Sequence, residues 1–221
     1  MGDSAFIKRE SLVAIADAMR EATGETRLFS LNEILERTSL AKRYIEKDFP
    51  PSLVLPNNIS AIGSTAFYNC TSLKSITIPE SVRTIASFAF NGCTSLTTVN
   101  LSEGLIEIGN AFQNCSSLTS LTIPASVTYI SSYAFKGCSK LVSINIPEGV
   151  EMIYDYTFQN CTSLTSITLH ANIKNIYSTA FSGCTNLTTI NVPWSEGAVA
   201  NAPWGATNAT INYNYVANGG V

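Results

Sequence analysis

The segment SLTSLTIPASVTYISSYAFKGC, residues 117–138, is one copy of a phrase that returns along most of this chain. A phenylalanine lies three residues before each cysteine of the phrase, and a leucine lies three residues after it. The cysteines recur at steps of 23, 22, 23, 23 and 23 residues, as Cys70, Cys93, Cys115, Cys138, Cys161 and Cys184. A fixed period in the twenties predicts a solenoid of short stacked coils, which cannot fold singly and present an extended surface.

Each coil contains one strand that is recognisable from its alternation of apolar and polar residues. In one coil, Ile76 and Ile78 alternate with polar residues, and Pro79 ends the strand because it cannot donate to a ladder. Ile62 and Val82 are assigned to the turns on either side. The register predicts eight strands, centred near residues 54, 77, 100, 122, 145, 168, 191 and 214.

Two coils depart from the 23-residue period, and each departure leads to a separate prediction. One step is 22 residues because a residue is missing between Ile108 and Ala111, so that coil should be pinched. In the last coil, Tyr213 and Tyr215 are assigned to the strand, and Thr207 to the cysteine position. The aromatic residues near the C-terminus should then cover the end of the core, as a solenoid requires.

Two columns of the repeat are interpreted as architecture. The residue before each cysteine is always asparagine or glycine, which predicts a left-handed backbone conformation in that column. The six cysteines are interpreted as free, buried and apolar in behaviour, because every thiol would have two equivalent neighbours. Disulfides between neighbouring coils remain the alternative, since the spacing of stacked coils tolerates them.

The composition changes near Pro50-Pro51, which divides the chain. Residues 1–50 hold eight Lys/Arg and nine Asp/Glu, whereas residues 51–221 hold five and seven. Amphipathic patterns in residues 1–50 predict a small helical cap over the first coil. The solenoid is assigned to residues 51–216, with a capping coil from about residue 193 and a tail at 217–221.

Several function classes are disfavoured by the sequence. A formal net charge of −3 without a basic stripe disfavours nucleic acid as a partner. There is no apolar run long enough to be a transmembrane segment. No catalytic constellation, cofactor motif or metal-ligand spacing is evident, so no enzyme activity is predicted. The single histidine, His170, replaces a strand-ending proline and is predicted to be an exposed turn residue.

Two surfaces compete as the site of a partner. The outward face of the strands carries small polar residues from Ser75 to Asn191, which could bind a glycan weakly or simply be solvated. The opposite side carries aromatic residues that lie in neighbouring coils, and these could bind a protein or sugar, or simply pack between coils. The candidate partner-binding residues there are Phe88, Tyr129, Tyr133, Tyr154, Tyr156 and Tyr177.

The coil at residues 117–138 resembles the BspA-like leucine-rich repeat, and the resemblance extends over about residues 53–192. The family implies an α/β repeat fold, a curved right-handed solenoid with a parallel sheet on one side, here of about eight coils. It also implies a non-enzymatic role in adhesion or in contacts with protein or host surfaces. Residues 11–34 and 191–216 are similar to segments of phage and prophage tail-associated proteins from intestinal bacteria.

These observations lead to two functional hypotheses. The first is a recognition module that binds a protein or carbohydrate on a bacterial or host surface, with a phage tail as one setting. The second is a structural component of a virion or surface scaffold that associates with itself or other proteins through residues 1–50. The N-terminus lacks a secretory signal pattern, so either the chain is not exported by that route or a signal lies outside this sequence. A virion or the bacterial surface is favoured over the cytoplasm.

Overall fold

The computed structural model describes residues 27–28, 51–55 and 57–216, and the strands there form a parallel β-solenoid. One line of strands runs along the solenoid with its central residues pointing inward, as Ile76 does between Ser75 and Thr77. Its eight strands enclose seven turns between them. They are β2 (Ser52–Val54), β4 (Ser75–Thr77), β6 (Thr98–Asn100), β8 (Ser120–Leu121), β10 (Ser143–Ile144), β12 (Ser166–Thr168), β14 (Thr189–Asn191) and β15 (Thr210–Asn212).

A second line of two-residue strands lies in the same coils, where the sequence predicted only turns. Ile62 and Ile85 belong to it, and each is fully buried beside an outward-facing neighbour. A strand of two residues is too short to show an alternation of apolar and polar residues, which is why the sequence pattern did not reveal these strands. The strands are β1 (Arg27–Leu28), β3 (Ala61–Ile62), β5 (Thr84–Ile85), β7 (Glu107–Ile108), β9 (Tyr129–Ile130), β11 (Met152–Ile153) and β13 (Asn175–Ile176).

The α/β class and the count of eight coils need correction within this part of the chain. Every regular element in residues 27–28, 51–55 and 57–216 is a strand, so the repeat itself contains no helix. It follows that no helix of the described residues could cross a membrane. The predicted helical cap lies outside the described residues, apart from β1, which pairs in parallel with β3. The tail at 217–221 also lies outside them.

The interior is built from identical side chains stacked coil upon coil. Neighbouring phenylalanine rings lie 5.0–5.8 Å apart between centroids and within 3–9° of parallel. The stacked residues are Phe67, Phe90, Phe112, Phe135, Phe158 and Phe181. The missing residue before Ala111 does not interrupt this stack, and Ile108 remains in register with Ile85 and Ile130.

All six cysteines are free and buried, as predicted, and five of them also donate hydrogen bonds. The Cys93 thiol, for example, lies 3.0 Å from the carbonyl oxygen of Phe67 in the preceding coil. The same contact recurs at 3.0–3.2 Å for Cys115, Cys138, Cys161 and Cys184. The thiol column therefore joins coils by polar contacts as well as by packing, and burial raises the pKa of Cys70 to about 12.

The asparagine and glycine column is left-handed in every copy, as predicted, with φ between 55° and 75°. The structure adds the reason why the two residue types alternate. A Cβ atom on Gly92 would collide with the side-chain oxygen of Asn69, and Gly137 stands in the same relation to Asn114. Each asparagine side chain occupies the space above the next coil, so the next coil must carry glycine.

The last coil does not follow the predicted register. Ile211 pairs with Ile190, a step of 21 residues, so β15 ends at Asn212 and Tyr215 lies beyond it. Thr207 is exposed, while Ala206 is buried. The predicted register failed because it was extrapolated at a constant step into a coil that lacks the cysteine. The coil still covers the core, with Trp204 fully buried and its Nε1 donating to the Ala200 carbonyl at 2.7 Å.

The phenylalanine stack should be a main source of stability. Substituting Phe112→Ala should lower the free energy of unfolding by about 3–5 kcal/mol, because a fully buried ring leaves a cavity between two others. Phe88→Ala is the matched control, since that ring is 39% exposed, and it should cost less than about 1 kcal/mol. Urea denaturation followed by circular dichroism measures the free energy of unfolding of both variants. Equal losses would contradict the conclusion that the Phe112 ring is a buried member of the stack.

Candidate functional site

The candidate aromatic residues are positioned by the second line of strands and the turn that follows it. Tyr129 lies in β9, while Tyr154 and Tyr177 directly follow β11 and β13. Tyr133 and Tyr156 lie in the next turn in left-handed conformations, with φ of 62° and 60°. This backbone is unfavourable for a bulky residue, and here it turns the aromatic side chains away from the filled interior.

Tyr129, Tyr154 and Tyr177 form one row, which we call the first tyrosine row. The Tyr154 ring centroid lies 5.5 Å from that of Tyr129 and 5.6 Å from that of Tyr177. Its hydroxyl is 3.4 Å from the Met152 sulfur. Partial burial raises the pKa of Tyr154, and the two neighbouring tyrosines raise it further.

Tyr133 and Tyr156 form a second row, stacked at 5.0 Å between centroids. The Lys136 ammonium lies 5.3 Å from the Tyr133 centroid, within the range of a cation–π contact. The structure thus divides the five candidate tyrosines into two rows, and no ring contact joins the rows in the described residues. Phe88 lies apart from both rows, because the coil between it and Tyr133 has Asn110 in place of an aromatic residue. Phe88 N donates to the Asn110 carbonyl.

The first tyrosine row crosses a gap in the second line of strands. Strands β1, β3, β5, β7 and β9 form one sheet and β11 and β13 another, so β9 and β11 are not paired. In the other coils, backbone N–H groups on both sides of the strand donate to the preceding coil, as Thr128 does to Ile106 at 2.9 Å. Between β9 and β11 the corresponding bonds, from Glu151 to Thr128 and from Tyr154 to Ile130, are missing among the described residues.

A cleft of about 290 Å³ lies at this gap, and we call it the tyrosine cleft. Its lining residues are Thr128, Tyr129, Ile130, Gly149, Glu151, Met152 and Tyr154. Gly149 lacks the side-chain hydrogen bond to the preceding coil that Ser126 and Asn172 donate from the same position, at 2.7 and 3.1 Å. Gly104 also lacks it, yet β5 and β7 are paired there, so glycine at this position does not by itself open the ladder.

The charge of the cleft comes from Glu151. Its Oε2 atom lies 2.6 Å from the Lys174 ammonium, and both side chains are more than half exposed. Glu107 stands beside Tyr129 in the parallel register of β7 and β9. The cleft therefore combines exposed aromatic rings, a carboxylate and unpaired backbone groups. The sequence did not predict the cleft, because a missing hydrogen bond between coils has no residue signature of its own.

The outward face of the first line of strands is polar and partly bonded to itself. Asn100 and Asn191 donate to the hydroxyls of Thr77 and Thr168, each at 3.2 Å across neighbouring strands. A cleft of about 400 Å³ lies beside β6 and β8, which are also unpaired. Its lining includes one charged side chain, Glu103, and no aromatic residue, so this face offers fewer strong anchors than the tyrosine cleft.

His170 is not the exposed turn residue that the sequence predicted. Its side chain is only 9% exposed, and its Nδ1 lies 3.3 Å from both the Glu148 carboxylate and the Asn172 N–H. The prolines that occupy this position in other coils, such as Pro124 and Pro147, are buried as well. The position is thus an inward one, and a strand-ending residue was wrongly equated with an exposed one. Among the described residues, no three His, Cys, Asp or Glu side chains are grouped to hold a metal ion.

Comparison with known proteins identifies the class of this fold. The model of the BspA type leucine rich repeat region matches residues 46–111 and 109–201 in 6 copies, so the chain belongs to this family. No curated protein matches.

Three solved structures are similar to this chain. A leucine rich repeat protein of T. pallidum (TpLRR) is 34% identical, with a TM-score of 0.62 over 64% of this chain and 72% of that one. The pneumococcal vaccine antigen PcpA shares the fold at 19% identity, with a TM-score of 0.65 over 86% of this chain and 45% of that one. A leucine-rich repeat protein from Eubacterium ventriosum is 24% identical, with a TM-score of 0.52 over 72% and 46%. The chain thus spans less than half the length of the latter two.

The ionisation of Tyr154 tests the geometry of the first tyrosine row. In an absorbance titration of the chain's 9 tyrosines, we expect a phase above the ordinary pH range of tyrosine, because partial burial raises the pKa of Tyr154. Tyr154→Phe should remove that phase. Tyr68→Phe, which deletes an exposed tyrosine in an early coil, should leave it in place. Persistence of the phase in Tyr154→Phe would show that the ring is not held as described.

Proposed function

We propose that this chain is a non-enzymatic recognition module that binds a protein or carbohydrate on a bacterial or host surface through the first tyrosine row. The observation that carries the proposal is the coincidence of that row with the gap between β9 and β11. Rings that serve only to pack coils together need no opening beside them. Here the row adjoins a cleft whose backbone groups are free to bond with a ligand.

The chemistry of the row suits recognition. A tyrosine offers a large rigid apolar face with a polar tip, and such residues are enriched among the side chains that dominate binding energy. Membership of the BspA-type family supports a role in adhesion or surface contact. The similarity of residues 11–34 and 191–216 to tail-associated proteins supports a phage tail as the setting, with the bacterial surface as the alternative.

The proposal is tested by screening the full chain against bacterial envelope polysaccharides and surface proteins by biolayer interferometry. We expect a ligand whose dissociation constant rises at least about tenfold in Tyr154→Ala and in Tyr177→Ala, as for anchors in a binding hot spot. Tyr68→Ala is the matched control, since its ring is 45% exposed and outside both rows.

Circular dichroism of each variant separates binding from folding. If Tyr154→Ala and Tyr177→Ala are folded and every ligand found binds them as tightly as the wild type, the first tyrosine row is not the site. If the two variants lose stability while binding is retained, the rings serve to pack the coils.

A second candidate function is that of a structural component joined through residues 1–50. Residues 1–50 hold 17 of the 29 charged residues of the chain. Two residues of this segment, β1 (Arg27–Leu28), pair with β3 and extend one end of the second line of strands. A joining segment would combine attachment to the solenoid with a charged surface of its own.

Cross-linking of a mixture of ¹⁴N- and ¹⁵N-labelled chains tests this second function. If copies associate through residues 1–50, mixed-isotope cross-links should join Lys8, Lys42 or Lys47 of one copy to another, with a multimeric mass in light scattering. A monomeric mass, with cross-links confined to single isotopes, would rule out self-association through this segment. Lys140, in the solenoid, is the internal control.

A further inference from the structure

Three acidic residues lie in the coils that form or adjoin the tyrosine cleft. Glu151 lines it, Glu107 neighbours Tyr129 in the parallel register, and Asp155 follows Tyr154 and accepts a hydrogen bond from the Thr179 hydroxyl. The cation in contact with this group is Lys174, which is paired with Glu151. That pair is solvent-exposed, so its net energy is small and it can rearrange in favour of a competing cation.

The rings of the cleft present their faces at an angle. The planes of Tyr129 and Tyr154 are tilted by 57°, whereas the buried phenylalanine rings are within 9° of parallel. The tilt keeps the two rings from covering each other face to face, and Tyr129 is 38% exposed. A cation held over such a face is attracted by the ring quadrupole, and most strongly where water is partly excluded.

The cleft also offers hydrogen-bond acceptors that have no partner among the described residues. The gap between β9 and β11 leaves the carbonyl oxygens of Thr128 and Ile130 without the backbone partners that other coils supply. The Oε1 atom of Glu151 has no hydrogen bond within the described residues. A ligand group suited to this cleft should therefore be cationic, flat and rich in donors.

We propose that the tyrosine cleft receives an arginine side chain of a protein partner. The inference rests on the proposed recognition function and narrows it to a basic protein segment. A guanidinium is planar, stacks on aromatic rings, carries five N–H donors and has no acceptor. It would lie against Tyr129, the exposed ring of the cleft, donate to Glu151 Oε1 by a charge-assisted bond and use its other donors on the free carbonyls. The N–H groups of the gap stay with solvent.

The test uses two short peptides and the full chain. Acetyl-Gly-Arg-Gly-amide is compared with acetyl-Gly-citrulline-Gly-amide, in which a neutral urea replaces the guanidinium, by titration monitored by NMR. We expect the arginine peptide to bind at least about tenfold more tightly, because only it has the cation. Binding should weaken severalfold in Glu151→Gln and as the salt concentration rises. Glu196→Gln, at an exposed site in the last coil, should leave it unchanged.

The outcomes distinguish failure of the arginine inference from failure of the proposed recognition function. Equal affinity for the two peptides, no binding of either, or unchanged binding by Glu151→Gln overturns the arginine assignment. If the ligand found by screening needs Tyr154 but is neutral and insensitive to Glu151→Gln, recognition by the first tyrosine row stands and the arginine inference fails. If no ligand depends on Tyr154, both fail.

Discussion

The structure depends on backbone hydrogen bonds between successive coils. A coil has strands of two or three residues, so its N–H and C=O groups find partners mainly in the coils before and after it. Stacked phenylalanines and thiols that donate to the preceding coil fill the space enclosed by these bonds. Stability is therefore a sum of contacts between neighbours, which explains why the same side chains must return at the same step.

The same dependence determines where a partner can bind. A continuous ladder uses its polar groups internally, and the surface above it has only side chains to offer. Where two coils are not paired, backbone groups become available, as at Thr128 and Ile130. The first tyrosine row lies over such a gap. Small local departures from the repeat, more than the repeat itself, distinguish one coil as a candidate site.

Much of the architecture was predictable because the repeat reports inward positions directly. Cys115 was assigned to the interior from its period, and it is fully buried, as is Phe112 three residues before it. The left-handed column was predicted from the restriction to asparagine and glycine, since few other residues tolerate it. Predictions failed where a coil departs from the consensus. His170 was taken for an exposed residue although its column is buried, and Tyr215 was assigned to a strand that ends at Asn212.

The stacked coils, their buried columns and the tyrosines in neighbouring coils follow directly from residue identity and period. The second line of strands, the division of the tyrosines into two rows and the gap beside Tyr154 emerge only from the folded chain. These features depend on whether backbone groups about 5 Å apart face one another across coils. That alignment is set by the packing of whole coils and is not encoded in any single residue.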